Sequence, residues 1–301
     1  MTKLLQLFAD NLLPVIAIAA VGFLARRRLG IDARPLAGIT FYVFLPALSF
    51  SLILRADIAI GELARMVAFT TAVVLGMLLL AWVITRILRL PPGPTSAFLL
   101  AVGFMNSGNF GLAVNRFAFG EAGLAWATVF YLTTSLLNNS VGAYIAAVGK
   151  QPARLALIGL LRIPAVYAIP VALLVRATGW ELPPAVIRPI DLVAGAAIPA
   201  MLILLGMQTA DIHWAGRRGL LALAAGLRLV AAPALAWGLA ALLPLTGVAR
   251  QAGILEAGMP TAVLSSILAT QYETEPEFVA ASVLLSTLLS PLTLTPLLSA
   301  L

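Results

Sequence analysis

The sequence predicts an all-α integral membrane protein of about ten transmembrane helices, built as two inverted five-helix repeats in which helices four and nine are broken and cross. Three observations carry that expectation. The 301 residues are 61% hydrophobic and 10% charged, with a mean hydropathy of +1.04, whereas a soluble domain carries about 25% charged residues. Apolar runs recur at the roughly 20-residue length that crosses a bilayer. Two of these runs, about half a chain apart, are interrupted: one by Gly103-Phe-Met-Asn-Ser-Gly-Asn-Phe-Gly111, the other by Glu256-Ala-Gly-Met-Pro260.

Composition excludes several function classes. With no cysteine, disulfides and thiol chemistry are absent, and His213 alone cannot supply a metal-site spacing that needs two histidines. No His-Glu-x-x-His helix and no Gly-Lys-[Ser/Thr] phosphate loop occurs, so neither an enzyme nor a cofactor is expected. The pI near 10.5 reflects basic residues grouped between apolar runs, as orientation signals are, and no nucleic-acid partner is expected. Ala17-Ile-Ala19 mimics a signal cleavage site, but the apolar run continues to Leu24 and meets Arg26-Arg27-Arg28, which reads as a retained first span.

Taken in order, the first three segments run from Leu5 to Leu24, Leu36 to Leu54 and Leu63 to Ile84. Pro91-Pro92-Gly93 breaks the chain before the fourth, Thr95 to Phe119; the fifth runs from Leu124 to Val148. Gly149-Lys-Gln-Pro152 connects the halves. Segments six to ten span Leu155 to Val175, Val186 to Met207, Leu220 to Leu243, Ile254 to Thr270 and Phe278 to Leu298. Connections after odd segments hold Arg26, Arg27, Arg28, Arg34, Arg86, Arg89, Lys150, Arg154, Arg217 and Arg218. The other side holds Lys3, Arg55, Arg65, Arg116, Arg176, Arg188 and Arg250. That bias, weighted by the triple arginine after the first span, predicts both termini outside a cell (inner) membrane.

The halves, residues 1–150 and 151–301, repeat at a nearly constant offset. Leu45-Pro46-Ala47-Leu48 matches Ile198-Pro199-Ala200-Met201, Leu80-Ala81-Trp82 matches Leu235-Ala236-Trp237, and Thr134-Ser-Leu136 matches Thr287-Leu-Leu289. Five crossings per half is odd, so the second half enters from the opposite side and the repeats are inverted. At about 1.5 Å per residue, Asn106 lies roughly 15 to 20 Å from the start of its segment and Pro260 a similar distance from Arg250, both near the middle of a layer about 30 Å thick.

Pro260 lacks an amide hydrogen and disfavours helix at Met259, so the ninth helix is expected to stop and restart with Pro260 in its first turn. A matching restart of segment four after Asn109 brings two half-helix N-termini together, suited to an anionic group. Their incoming ends could hold a cation. The alternative for segment four is a small-residue packing face, since Gly103, Ser107 and Gly111 recur every four residues.

Candidate substrate contacts are Asn106, Ser107, Gly108, Asn109, Pro260 and Thr261, with Tyr131, Thr134 and Asn138 forming a polar stripe on segment five. Interhelical hydrogen bonding explains that stripe equally well. Glu256 and Arg228 are the deep charges, at similar depth: either a static ion pair joining segments eight and nine, or a coupling or gating element. Arg162 is close enough to its helix end to snorkel, and Asp191 with Arg188 reads as an interfacial pair. Prolines 14, 46, 164, 170, 199 and 233 read as kinks.

At these residues the chain resembles the auxin efflux carrier family, whose bacterial members are often called malonate or malate permeases. Asn106-Ser-Gly-Asn-Phe-Gly-Leu112 is similar to the family's first crossover, Gly258-Met-Pro260-Thr-Ala262 followed by Tyr272 to its second, and Ser286-Thr-Leu-Leu-Ser-Pro291 to its closing helix. The resemblance covers essentially the whole chain. It implies a scaffold of helices 1, 2, 6 and 7 and a transport unit of helices 3–5 and 8–10, and it matches Asn106 to the asparagine that meets the substrate carboxylate. Met105 and Ala113 depart from the family's prolines, so the first break must rely on Gly and Asn, and the plant carriers' central loop is absent.

The expected function is transmembrane carriage of a small organic anion by alternating access. The competing reading is a sodium- or proton-coupled symporter or antiporter of related fold with a cation site near Glu256; missing paired midplane carboxylates count against it. Expected partners are the lipid bilayer, the anion and a coupling H+ or Na+, with a homodimer as a candidate assembly.

Overall fold

A computed structural model of the chain describes residues 2–56, 58–147, 164–210, 212 and 217–301. The Gly149–Pro152 connector, the start of segment six, Lys150, Arg154, Arg162 and His213 lie outside the described residues. Within them the protein is helical, and its secondary structure beyond helices and turns is one isolated antiparallel bridge.

Span one is a bent pair, α1 (Thr2–Asn11) and α2 (Leu13–Leu29), meeting at 42° just before Pro14. Then follow α3 (Ala33–Arg55) and α4 (Ile60–Ile87). Span four is divided into α5 (Pro92–Gly103) and α6 (residues 107–119). At Gly120, φ is 64°, a left-handed geometry that ends α6 and turns the chain into α7 (residues 121–146). Beyond the connector come α8 (Pro164–Ala177), α9 (Pro184–Ala210) and α10 (Arg218–Leu242). Span nine is divided into α11 (Gly247–Ala257) and α12 (Val263–Gln271), and α13 (Pro276–Ala300) closes the chain. Five of these helices, α3, α4, α9, α10 and α13, are each long and apolar enough to cross a membrane, and the bent pair makes a sixth.

Packing follows the inverted duplication. Helix α2 of span one lies on α9 of span seven, and α3 of span two lies on α8 of span six. Exchanging one with six and two with seven converts either contact into the other. Helices α4 and α10, of spans three and eight, pack on each other and are exchanged in the same way. Two of the prolines are absorbed by π-helical turns: Thr40–Phe44 precedes Pro46 and Leu227–Ala231 precedes Pro233. The wider turn reshuffles the backbone ladder where the proline has no N–H to give.

The α2–α9 contact is backbone against backbone. A Cβ on Gly206 would sit 1.7 Å from the Ala19 carbonyl oxygen, and one on Gly22 would sit 2.0 Å from that of Ile203. Small residues permit this approach, and in lipid it replaces the hydrophobic drive that water would supply. Gly206→Ala is therefore expected to lower stability by about 1–3 kcal/mol, read as a lower unfolding temperature in detergent. Gly195→Ala, whose Cβ would meet nothing within 4 Å, should cause no loss; equal effects would remove the packing argument.

Candidate functional site

Both breaks lie at the same place. Phe104 is extended (φ −119°, ψ 134°) after the last turn of α5, and α6 starts at Ser107. The restart comes two residues earlier than Asn109, because a π-helical turn, Ser107–Gly111, opens α6 and reaches back from Gly111 N–H to Asn106 O at 3.0 Å. In span nine, α11 ends at Ala257 and α12 starts at Val263. Pro260 thus stands in an extended link, not in the first turn of the second half-helix.

The links pair with each other, which holds Pro260 out of the helix. Asn106 N–H donates to Pro260 O at 2.7 Å and Ala262 N–H donates to Phe104 O at 3.0 Å. These bonds flank Met105 and Thr261, a non-hydrogen-bonded antiparallel pair with Cα atoms about 4.5 Å apart. Thr261 is fully buried; its hydroxyl donates to Ala101 O at 2.9 Å and its N–H donates to Ser286 Oγ at 3.0 Å. Ser286 in turn donates to Ser282 O at 2.7 Å, tying α13 to the crossing.

The small-residue alternative for segment four holds alongside the break. A Cβ on Gly103 would fall 2.3 Å from Leu78 Cδ2 on α4, and one on Gly111 would fall 2.2 Å from Glu256 Oε2 on α11. Glycine on both sides of the break thus lets the Leu78 and Glu256 side chains pack directly against the backbone.

Arg228 and Glu256, both fully buried, do not pair. Arg228 Nη1 donates to Val102 O at 2.8 Å and Nη2 donates to Ala257 O, so one guanidinium spans the C-terminal ends of α5 and α11. Glu256 Oε1 accepts from Asn115 Nδ2 at 3.0 Å, and Oε2 has no protein partner. Asp191 also finds a partner other than the expected Arg188: it pairs with Arg55 and accepts from Ser51 Oγ at 2.7 Å, linking α9 to α3.

Beside the crossing is a cavity of about 430 Å³. Asn106, Ser107, Gly108 and Asn109 form one wall, Tyr131, Thr134 and Asn138 another, and Phe41, Tyr42 and Gln208 face them from α3 and α9. Pro260 and Thr261 are not among the lining residues; Ala262, Val263 and Leu264 take that place from the start of α12. No charged side chain lines this space among the described residues. Most polar groups are spent locally: Thr134 donates to Phe130 O at 3.0 Å and Asn139 to Ser135 O at 2.9 Å. Two are unspent, Asn106 Nδ2 and Asn138 Oδ1. Each such buried atom costs about 1–3 kcal/mol unless something bonds it.

Four lining residues had no sequence signal strong enough to select them. Ser135, on the face of the stripe, and Asn139, at its edge, are short polar groups that helix-internal hydrogen bonds can satisfy, and Tyr42 and Gln208 are single polar groups in apolar segments. Gln208 accepts from Asn109 Nδ2 at 3.4 Å, across the gap between α9 and α6. A second cavity, about 540 Å³, is lined by Ser51, Arg55, Arg116, Glu121, Trp126 and Asp191, with the Arg55–Asp191 and Arg116–Glu121 ion pairs at its walls. In an alternating ten-span chain these residues stand toward the opposite membrane face from Gln208 and Asn139.

Two broken helices that pair beside a cavity of neutral polar groups are the arrangement of a membrane transporter. The family model for membrane transport proteins matches residues 7–298, and the chain belongs to this family, that of the auxin efflux carriers. It is similar to an uncharacterized transporter of Methanothermobacter thermautotrophicus, 27% identical over 93% of this chain and 94% of the relative. It is also similar to one from Methanocaldococcus jannaschii, 22% identical over 93% of this chain and 94% of the relative.

Proposed function

We propose that the protein is a secondary carrier of a small carboxylate, bound in the 430 Å³ cavity and exposed to each side of the membrane in turn. The observation that carries this reading is the convergence of donors at one wall. Asn106 Nδ2 has no protein partner, and the bond from Gly111 N–H to Asn106 O opens α6, so the first-turn residues Ser107, Gly108 and Asn109, which line the space, precede its helical ladder. Helix N-termini and unspent amides suit a carboxylate without requiring a cationic side chain. Asn109, Tyr131, Thr134 and Asn138 complete the contact surface, and Phe41 and Leu264 supply apolar walls.

With both termini outside, this cavity opens on the arginine-rich inner face, and the cavity at Arg55 and Glu121 lies on the outer face. Helices α2, α3, α8 and α9 then serve as the static scaffold against which the crossing helices move. Glu256 is the coupling group in this scheme: a buried carboxyl held by Asn115 alone, with Gly111 pressed against it, binds and releases a proton as the crossing moves.

Asn106→Ala should insert and fold normally yet lower uptake into vesicles about 10- to 100-fold, the effect of losing one hydrogen bond to a charged group, about 1.5–3 kcal/mol. Wild-type uptake by that variant would remove Asn106 from the site. Glu256→Gln should flatten the pH dependence of flux while leaving binding in place. A pH profile identical to wild type would make Glu256 a packing residue only.

A further inference from the structure

We infer that Arg228 is a built-in cation: its guanidinium occupies a cation site formed by the carbonyl ends of both broken helices, so the crossing is closed without a sodium ion. This does not depend on which solute the carrier moves.

The site is formed by the halves that enter the crossing. Helices α5 and α11 both end there, and each C-terminus carries a partial charge of about −0.5. Together they present about one negative charge in a dry interior, and one guanidinium balances it. Its hydrogen bonds go to the carbonyls that the two ends leave unpaired, Val102 O and Ala257 O. Arg228 is the largest fully buried side chain among the described residues; Nη1 and Nη2 donate to these two carbonyls and Nε has no protein partner. A buried cation with no ion pair is costly unless several dipoles face it.

Of the neighbouring groups, Ala101 O, one residue before Val102, accepts from the Thr261 hydroxyl. Glu256, one residue before Ala257, gives Oε1 to Asn115 and makes no ion pair with Arg228, its Oε2 having no protein partner. Arg228 itself lies on the π-helical turn Leu227–Ala231, which rotates the side chain relative to a regular helix and directs it from α10 into the crossing. The carbonyl cage that would coordinate a monovalent ion is therefore filled from within the chain.

The test is thermal unfolding of purified protein in sodium chloride, in choline chloride, and in choline chloride with millimolar methylguanidinium. Wild type and Arg228→Lys, which keeps the charge, should unfold at the same temperature in sodium as in choline. Arg228→Ala uncovers the two carbonyls and should be several degrees less stable in choline, recovering part of that loss with sodium or methylguanidinium, because a ligand bound only by the folded form raises apparent stability. Uptake by the same variant should become dependent on the added cation. A stability gain from sodium in wild type or in Arg228→Lys would show room for an ion and overturn the inference. So would an Arg228→Ala protein that no cation stabilises, or one as stable in choline as wild type.

Discussion

Backbone polar groups that leave a helix inside a membrane have no water to turn to, and each costs several kcal/mol if left unpaired. That constraint governs this structure. Neither break is tolerable alone, since Phe104–Asn106 and Gly258–Ala262 each open a helical ladder at mid-depth. Set side by side they satisfy one another through two backbone bonds about the Met105–Thr261 pair. The duplication of the chain supplies this solution, because inverted halves deliver two extended links running antiparallel at the same depth. Thr261, Ser286 and Arg228 then take up carbonyls and an amide that the links leave over.

The arrangement separates two kinds of half-helix end. The incoming ends of α5 and α11 are negative and are covered by Arg228. The outgoing ends of α6 and α12 are positive and border the cavity, where Ser107, Gly108, Val263 and Leu264 stand. The Arg228 charge is thus kept behind the crossing while the cavity side is lined by neutral amides and hydroxyls.

Much of this was legible in the residues. Gly, Asn and Pro at mid-depth of two otherwise apolar segments mark breaks because they weaken or withhold helical bonds, and the polar stripe on segment five marks a buried face. Sequence reports depth along a helix, however, and not direction around a neighbour. Arg228 and Glu256 share a depth and so invited a pairing, yet each turns to partners that leave no sequence signal: backbone carbonyls in one case, Asn115 in the other. Arg188 likewise stands three residues from Asp191 in sequence, but helix packing brings Arg55 to it. Pro260 was expected to start a helix, and the demand of the opposing link for an acceptor kept it extended.

The pairing of the links is the claim on which the rest stands, and the absence of native cysteine makes it directly measurable. With Met105 and Thr261 replaced together by cysteine, mild oxidation should form a disulfide rapidly and nearly completely, since a non-hydrogen-bonded antiparallel pair about 4.5 Å apart at Cα falls within the range such a bond spans. Cysteines at Met105 and Leu264, away from the bridged pair, serve as the comparison and should link far more slowly. Failure of the 105–261 pair to link in folded protein, or linkage no faster than the comparison pair, would mean that the two breaks do not meet.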